Sequence, residues 1–286
     1  MKFRITHTTR YVYGAPVSLS PHLIYLRPRE HSRQHLRRFD LRISPDPILT
    51  RGQDPLDNEL WQARFPELTE RMEIESQVEV ENTESNPFDF VLKSYAIEFP
   101  FEYEPVFKFA LGPYLAVPFV DTQHALKQWL DEHFTDRPTG TVDLLTAFTR
   151  LFFTHFTYVR RDEIGIQSSI TTLQKGSGAC RDFAVLFIEL CRTLGLAARF
   201  VSGYLYAPPG EDERTVGAMH AWVEVYLPGA GWRPIDPTSG VWCDDLFIAV
   251  AHAAQAETVN PVQGTYYSKT PVDSQMNVNV VIEPLD

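Results

Sequence analysis

An α+β fold follows from three features of the sequence. The first third alternates apolar and polar residues with a period of two, broken by Pro-rich turns. After a proline-studded stretch the apolar spacing lengthens to three and four. A largely apolar helix then precedes residues that alternate again as strands. This order predicts an N-terminal antiparallel β-sandwich, followed by a unit in which a helix packs on an antiparallel sheet.

The strands come first. Lys2 to Ile5, Arg10 to Tyr13 and Phe39 to Ile43 are short alternating segments. Met72 to Val80 sets Met72, Ile74, Ser76, Val78 and Val80 against Glu73, Glu75, Gln77 and Glu79, the pattern of a half-buried strand with its acidic side in water. Phe88 to Phe99 suggests one or two more strands. Turns are expected at 44–47, 54–58 and 86–87. Pro100, Pro105, Pro113 and Pro118 mark a linker near 105–118. The chain of 286 residues is therefore divided into domains at 1–110 and 111–286. Asp121 is expected to cap a helix carrying Leu126, Trp129, Leu130 and Phe134, and a second helix covers Val142 to His155.

Composition narrows the function. Hydrophobic residues make up 44% and charged residues 22%, which suits a globular protein. The net charge of −11 argues against a nucleic-acid binder. No run of about 18 apolar residues exists, and the N-terminus lacks a signal-peptide pattern, so neither membrane insertion nor export is expected. Three unevenly spaced cysteines (Cys180, Cys191 and Cys243) make a poor disulfide framework and fit a reducing cytoplasm. Arg27, Arg29, Arg33, Arg37, Arg38 and Arg42 cluster with His31 and His35. A solvated face is the preferred reading of that cluster, and a site for an anionic partner the sharper one.

The chemistry centres on Gly176-Ser177-Gly178-Ala179-Cys180, which leads into a helix with Phe183, Phe187, Leu190 and Leu194 at helical spacing and Gly195 as its stop. A cysteine at a helix start meets unpaired N–H groups and a partial positive charge; both favour thiolate and can hold an oxyanion. Cys191, deeper in the helix, reads as core. Downstream, Ala198 to Tyr206, Met219 to Leu227 and Trp232 to Asp236 read as strands, the last two joined by the turn Pro228-Gly229-Ala230-Gly231. His220 and Asp236 then lie side by side at one end of a hairpin, where a carboxylate can orient an imidazole. Cys180, His220 and Asp236 are the expected nucleophile, base and orienter. Trp222, two residues from His220, shares its face and is a candidate cleft residue or plain core.

Four stretches resemble the transglutaminase-like superfamily, in its bacterial transglutaminase-like and cysteine-protease branch. They are Gly178-Ala179-Cys180-Arg181-Asp182-Phe183-Ala184, Ala198 to Leu205, His220 to Tyr226, and Gly231-Trp232-Arg233-Pro234-Ile235-Asp236-Pro237-Thr238. Ile5 to Tyr13 and Leu26-Arg27-Pro28-Arg29 resemble the β-rich N-terminal region of that branch. The resemblance implies a papain-like core behind a β-sandwich and carries Cys180, His220 and Asp236 over as the triad. It implies an enzyme that cleaves an amide bond in a peptide or protein through a thioester; a peptidase or amidase with water as acceptor is the preferred reading, and a transglutaminase with an amine as acceptor the alternative. By papain-like spacing Gln174 is a candidate second oxyanion donor, and Gln167 is another. The chain departs from the family after Asp236, where His252 to Thr258 precede Pro261-Val262-Gln263-Gly264.

Other classes are weaker. A non-catalytic peptide binder on the same fold is disfavoured by the complete triad. His31 and His35 beside Glu30 lack a third ligand, so no metal is expected, and no EF-hand calcium loop is present. Gly176-Ser177-Gly178 lacks the Lys-Ser/Thr of a phosphate loop, and no other cofactor is implied.

Overall fold

The computed structural model describes residues 1–117, 119–161, 163–208 and 218–285. The chain opens with β1 (Lys2–Leu19), β2 (His22–Ile24), β3 (Gln34–Ser44), β4 (Ile48–Gln53), β5 (Glu59–Arg64) and β6 (Thr69–Asn82). The two short segments expected before residue 14 are one strand, β1, which continues to Leu19. β6 buries Met72, Ile74, Ser76, Val78 and Val80, the apolar side expected from its alternation. β1 and β6 pair antiparallel from Lys2↔Glu81 to Val12↔Arg71, and β3 lies on the outer side of β6.

Residues 88–99 are not strand. Their backbone bonds form no ladder: some are local, such as Asp89 N to Asn86 O and Ala96 N to Lys93 O in a 3₁₀ turn at Ser94–Ala96, and others are isolated anchors, Lys93 N to Pro228 O and Phe99 N to Thr139 O. The aromatic residues there pack as a loop: Phe88 and Phe90 lie against Trp242. The expected linker is likewise partly helical. It contains α1 (Pro105–Ala110) and α2 (Gly112–Leu115), each with a proline in its first turn; Pro118 lies outside the described residues.

The second half begins with α3 (Val120–His133) and α4 (Thr141–His155). Phe119, not Asp121, is the N-cap of α3; Asp121 sits in the first turn, where its charge suits the helix dipole. Then come β7 (Thr157–Tyr158), α5 (Ser169–Lys175), β8 (Ser177–Gly178), α6 (Cys180–Thr193), β9 (Ala198–Leu205), β10 (His220–Leu227), β11 (Gly231–Asp236), β12 (Val241–Trp242) and β13 (Phe247–Ala253). A five-stranded antiparallel sheet runs β12-β11-β10-β9-β13. Helix α6 packs on it through Phe183, Phe187 and Leu190, which share one core with Val223, Val225 and Ile235 of the sheet and Phe148 and Phe152 of α4. Each fully buried Phe side chain contributes about 2–3 kcal/mol.

The C-terminal tail pairs back with the first half of the chain. β14 (Val262–Gln263) pairs with β2, β15 (Tyr266–Tyr267) with the end of β1, and β16 (Ser274–Leu285) with β1 over Lys2↔Leu285 to Tyr13↔Ser274. The C-terminal strands thus return to the N-terminal half and close its sheets, β14-β2-β5-β4 and β15-β1-β6-β3 with β16. Between the sheets lies a core of Val17, Ile24, Leu26, Met72 and Ile74.

Candidate active site

The segment entering α6 is fixed before the helix begins. Gly176 ends α5 at φ +62°, a left-handed cap natural to glycine. β8 then pairs parallel with β7, and Val159 N–H donates to the Gly178 carbonyl at 2.9 Å. Cys180 follows as the first residue of α6, with Ala179 in extended backbone before it. Its N–H is one of the amides at the helix start that have no intrahelical acceptor. The sulfur is half-buried, whereas Cys191 and Cys243 are buried and their thiol pKa values are pushed up by desolvation.

Two charged side chains beside Cys180 hold this entry. Asp182 is fully buried and accepts from Ala179 N–H at 2.9 Å, Gln167 N–H at 2.7 Å and Arg161 Nη1 at 2.7 and 2.8 Å. Arg181 donates to the carbonyls of Arg161, Glu163 and Gly165. The loop before α5 is thereby tied to the first turn of α6. Sequence reading missed Asp182 and Arg161. The signal was the acid at the third position of the helix, the place from which a carboxylate reaches back to the N-cap amide.

His220 opens β10 and Asp236 closes β11. The register Val223↔Ile235 brings both to the same end of the hairpin. His220 Nε2 lies 2.9 Å from Asp236 Oδ2, and both side chains are buried. Asp236 Oδ1 accepts from Thr238 N–H at 2.9 Å. Because the carboxylate accepts at Nε2, the proton belongs on that nitrogen, and Nδ1 is the free basic atom. Burial alone would lower the His220 pKa, but the charge and hydrogen bond of Asp236, and then contact with Cys180, raise it well above 6.5. Asp236 shows the counterpart: burial opposes its ionisation, and His220 nonetheless holds its pKa down. The thiol is thus close enough to act on the imidazole, yet Nδ1 makes no aligned hydrogen bond. We read this as a pair in contact that a small rotation would align, as is common before substrate binds.

The structure brings the three expected triad residues together and places the other candidates elsewhere. Gln167 is buried and spends both amide hydrogens, on Thr172 Oγ1 and the Ser177 carbonyl at 3.0 Å each, while its oxygen accepts from Lys175. It therefore braces β8 and has no donor left for an oxyanion. Gln174 is exposed on α5. Trp222, only 1% exposed, offers a substrate almost no surface at Cys180, although it borders the cavity beside Arg29. It acts through the base instead: the Trp222 and Phe247 rings lie 6.1 and 6.2 Å from the His220 ring and shut it from water. Gly203 allows this packing. A Cβ there would sit 2.4 Å from the Trp222 ring and 2.2 Å from the Ile248 carbonyl.

Comparison with known proteins places the chain beside one family. Residues 3–81 match the model of the bacterial transglutaminase-like N-terminal region, and residues 128–237, which include all three residues, match the transglutaminase-like superfamily core. Uncharacterized proteins of Mycobacterium tuberculosis and Mycobacterium bovis are 29% identical over 303 residues, spanning 100% of this chain and 93% of theirs. A Mycobacterium leprae protein, also uncharacterized, is 26% identical over 99% of this chain and 98% of its own. A crystal structure named "putative cysteine protease" from Cytophaga hutchinsonii superposes with a TM-score of 0.75 at 19% identity, covering 100% of this chain and 92% of that one, and so shares the fold.

Proposed function

We propose, from the premise that this chain belongs to the transglutaminase-like superfamily, that it is a cysteine-nucleophile enzyme acting on amide bonds of a peptide or protein. The observation that carries the reading is the buried His220–Asp236 pair at 2.9 Å, with Nδ1 unpartnered and in reach of Cys180. In the proposed reaction His220 Nδ1 takes the thiol proton, and the sulfur attacks the amide carbonyl carbon. The carbonyl oxygen gains negative charge opposite the free amides at the start of α6. Collapse breaks the C–N bond as His220 returns its proton to the leaving amine, and a thioester remains on Cys180. Water, deprotonated by His220, then attacks the thioester; the acid leaves and the thiol is restored. Asp236 fixes the tautomer and stabilises the imidazolium throughout.

The test is to quench the protein with acid during turnover of a chromogenic thiol-reactive ester and weigh it. A covalent acyl adduct on Cys180 in the wild type, absent from Cys180→Ser and accumulating in burst kinetics, is expected. Adding a primary amine separates hydrolysis from transamidation: acid product in excess supports the peptidase reading, and amide product in excess the transglutaminase one. No adduct with any acyl donor would leave a peptide-binding module on this fold as the better account.

A further inference from the structure

The six clustered arginines are not alike. Arg27 pairs with Glu30 and Glu59, Arg33 with Glu84, Arg37 with Glu81, Arg38 with Asp40, and Arg42 with Glu75. All five are paired; Arg37, Arg38 and Arg42 form an exposed face, and Arg27 and Arg33 are half-buried. Arg29 has no carboxylate within 4.0 Å among the described residues. It faces a cavity of about 240 Å³ between the loop after β2 and the five-stranded sheet.

The cavity is a built, charged site. Arg29, Arg33, Arg199 and Arg233 line it, against Glu84, Glu224 and Asp244. The acids are already engaged. Glu224 holds Arg199 at 2.6 Å, Glu84 is shared by Arg33 and Arg233, and Asp244 accepts from Leu246 N–H. Arg33 also reaches Asp89 at 3.5 Å, so among the described residues Arg29 is the one arginine of the four without a carboxylate within 4.0 Å, and Arg233, 8% exposed, leaves its Nε–H without an acceptor. The neighbouring histidines feel that field. Burial first, and then the charges of Arg199 and Arg29, lower the His252 pKa to about 3; burial and Arg29 lower that of His31. Ser32, Gln34 and Asn82 add uncharged polar groups, and Trp222, Phe247 and Trp232, over which Arg199 stacks at 4.1 Å, supply a flat aromatic part of the wall.

We propose that this cavity binds a small organic anion, a carboxylate or a phosphate monoester, whose oxygens take the planar fork of Arg29 while its carbon body lies against the aromatic wall. A guanidinium presents two parallel N–H donors to such oxygens, and desolvated it lacks the water that would otherwise satisfy it. A volume of 240 Å³ equals about eight waters at ~30 Å³ each, room for a ligand of roughly that many heavy atoms. The site does not depend on the chemistry of Cys180.

The test uses the full chain carrying Cys180→Ser, titrated with inorganic phosphate, succinate and benzoate at constant ionic strength. Calorimetry and tryptophan fluorescence are the readouts, since Trp222 and Trp232 form the walls. At least one probe should saturate a single site. Arg29→Gln should weaken it tenfold or more, and Arg29→Lys, which keeps the charge but loses the fork, should weaken it less. Arg42→Gln, at an exposed pair, should leave it unchanged. Without anion, Arg29→Gln should melt no lower than its parent, because it removes an unpaired charge. Binding of no probe beyond the effect of ionic strength, or equal binding by Arg29→Gln, would overturn the proposal.

Discussion

Asp182→Ala removes one carboxylate and strands three donors at the foot of α6: Arg161 Nη1 and the N–H groups of Gln167 and Ala179. Asp182 has no exposure, and the Arg161 side chain is 16% exposed. Removing one partner of such a buried pair costs about 3–5 kcal/mol. Each orphaned amide could add about 1–3 kcal/mol. The terms do not sum, because Arg161 can turn toward Glu163 Oε2, already at 3.5 Å, and to water. A loss of about 4 kcal/mol is the working figure. At about 2–4 °C per kcal/mol for a chain of this size, the melting point should fall by roughly 8–16 °C. Urea unfolding followed by circular dichroism gives the free energy directly. Asp182→Asn, which keeps one acceptor oxygen, should fall between variant and wild type. A loss under about 1 kcal/mol for Asp182→Ala would refute the reasoning, because it would approach the ~0.5 kcal/mol range of ordinary surface substitutions.

Two further outcomes follow from burial. His7 is buried between Tyr204 Oη and Thr9 Oγ1, and burial lowers its pKa from 6.5 to about 4; that of His252 falls to about 3. At these two histidines the unfolded chain takes up protons before the folded one does, so their contribution is full above pH 6.5 and falls as the pH drops below it, where the raised pKa of His220 adds no slope. The slope is up to about 1.4 kcal/mol per pH unit for each histidine. Urea midpoints at pH 6.5, 5.5 and 4.5 should show the fall and His7→Gln should lessen it; equal slopes for wild type and His7→Gln would contradict the burial argument. Gly203→Ala forces a methyl into the Trp222 ring and the Ile248 carbonyl. It should cost about 1–3 kcal/mol or more, and, by displacing the wall of His220, should slow Cys180 labelling; unchanged stability would show that the sheet yields freely there.

Local periodicity carried the parts of the fold that depend on neighbours in sequence. The face of α6 and the acidic strand β6 were legible because one side of each is buried over several repeats. The hairpin that joins His220 to Asp236 was legible because its turn is short and its strands are apolar. Three features were hidden for physical reasons. The pairing of β16 with β1 closes the longest loop possible in the chain, and no local pattern reports it. The aromatic residues of 88–99 alternate like a strand but find their partners on Trp242, not in a ladder. Among the described residues Arg29 differs from its five neighbours in lacking a paired carboxylate, which depends on where Glu59, Glu75, Glu81 and Glu84 arrive from elsewhere in the fold. For the same reason Gln167 reads as a possible donor until its two hydrogens are seen on Thr172 and Ser177.

The most direct test of the account is the rate of Cys180 alkylation by iodoacetamide against pH, followed by mass spectrometry, in the wild type and His220→Ala. At pH 6 a free thiol with a pKa of about 8.5 is only about 0.3% thiolate. With an imidazolium beside it, Cys180 should label at least tenfold faster than free cysteine at that pH, and His220→Ala should bring it down to the free-thiol rate. Labelling of the wild type at the free-thiol rate, indifferent to His220, would contradict the central claim that these residues form a nucleophile and its base.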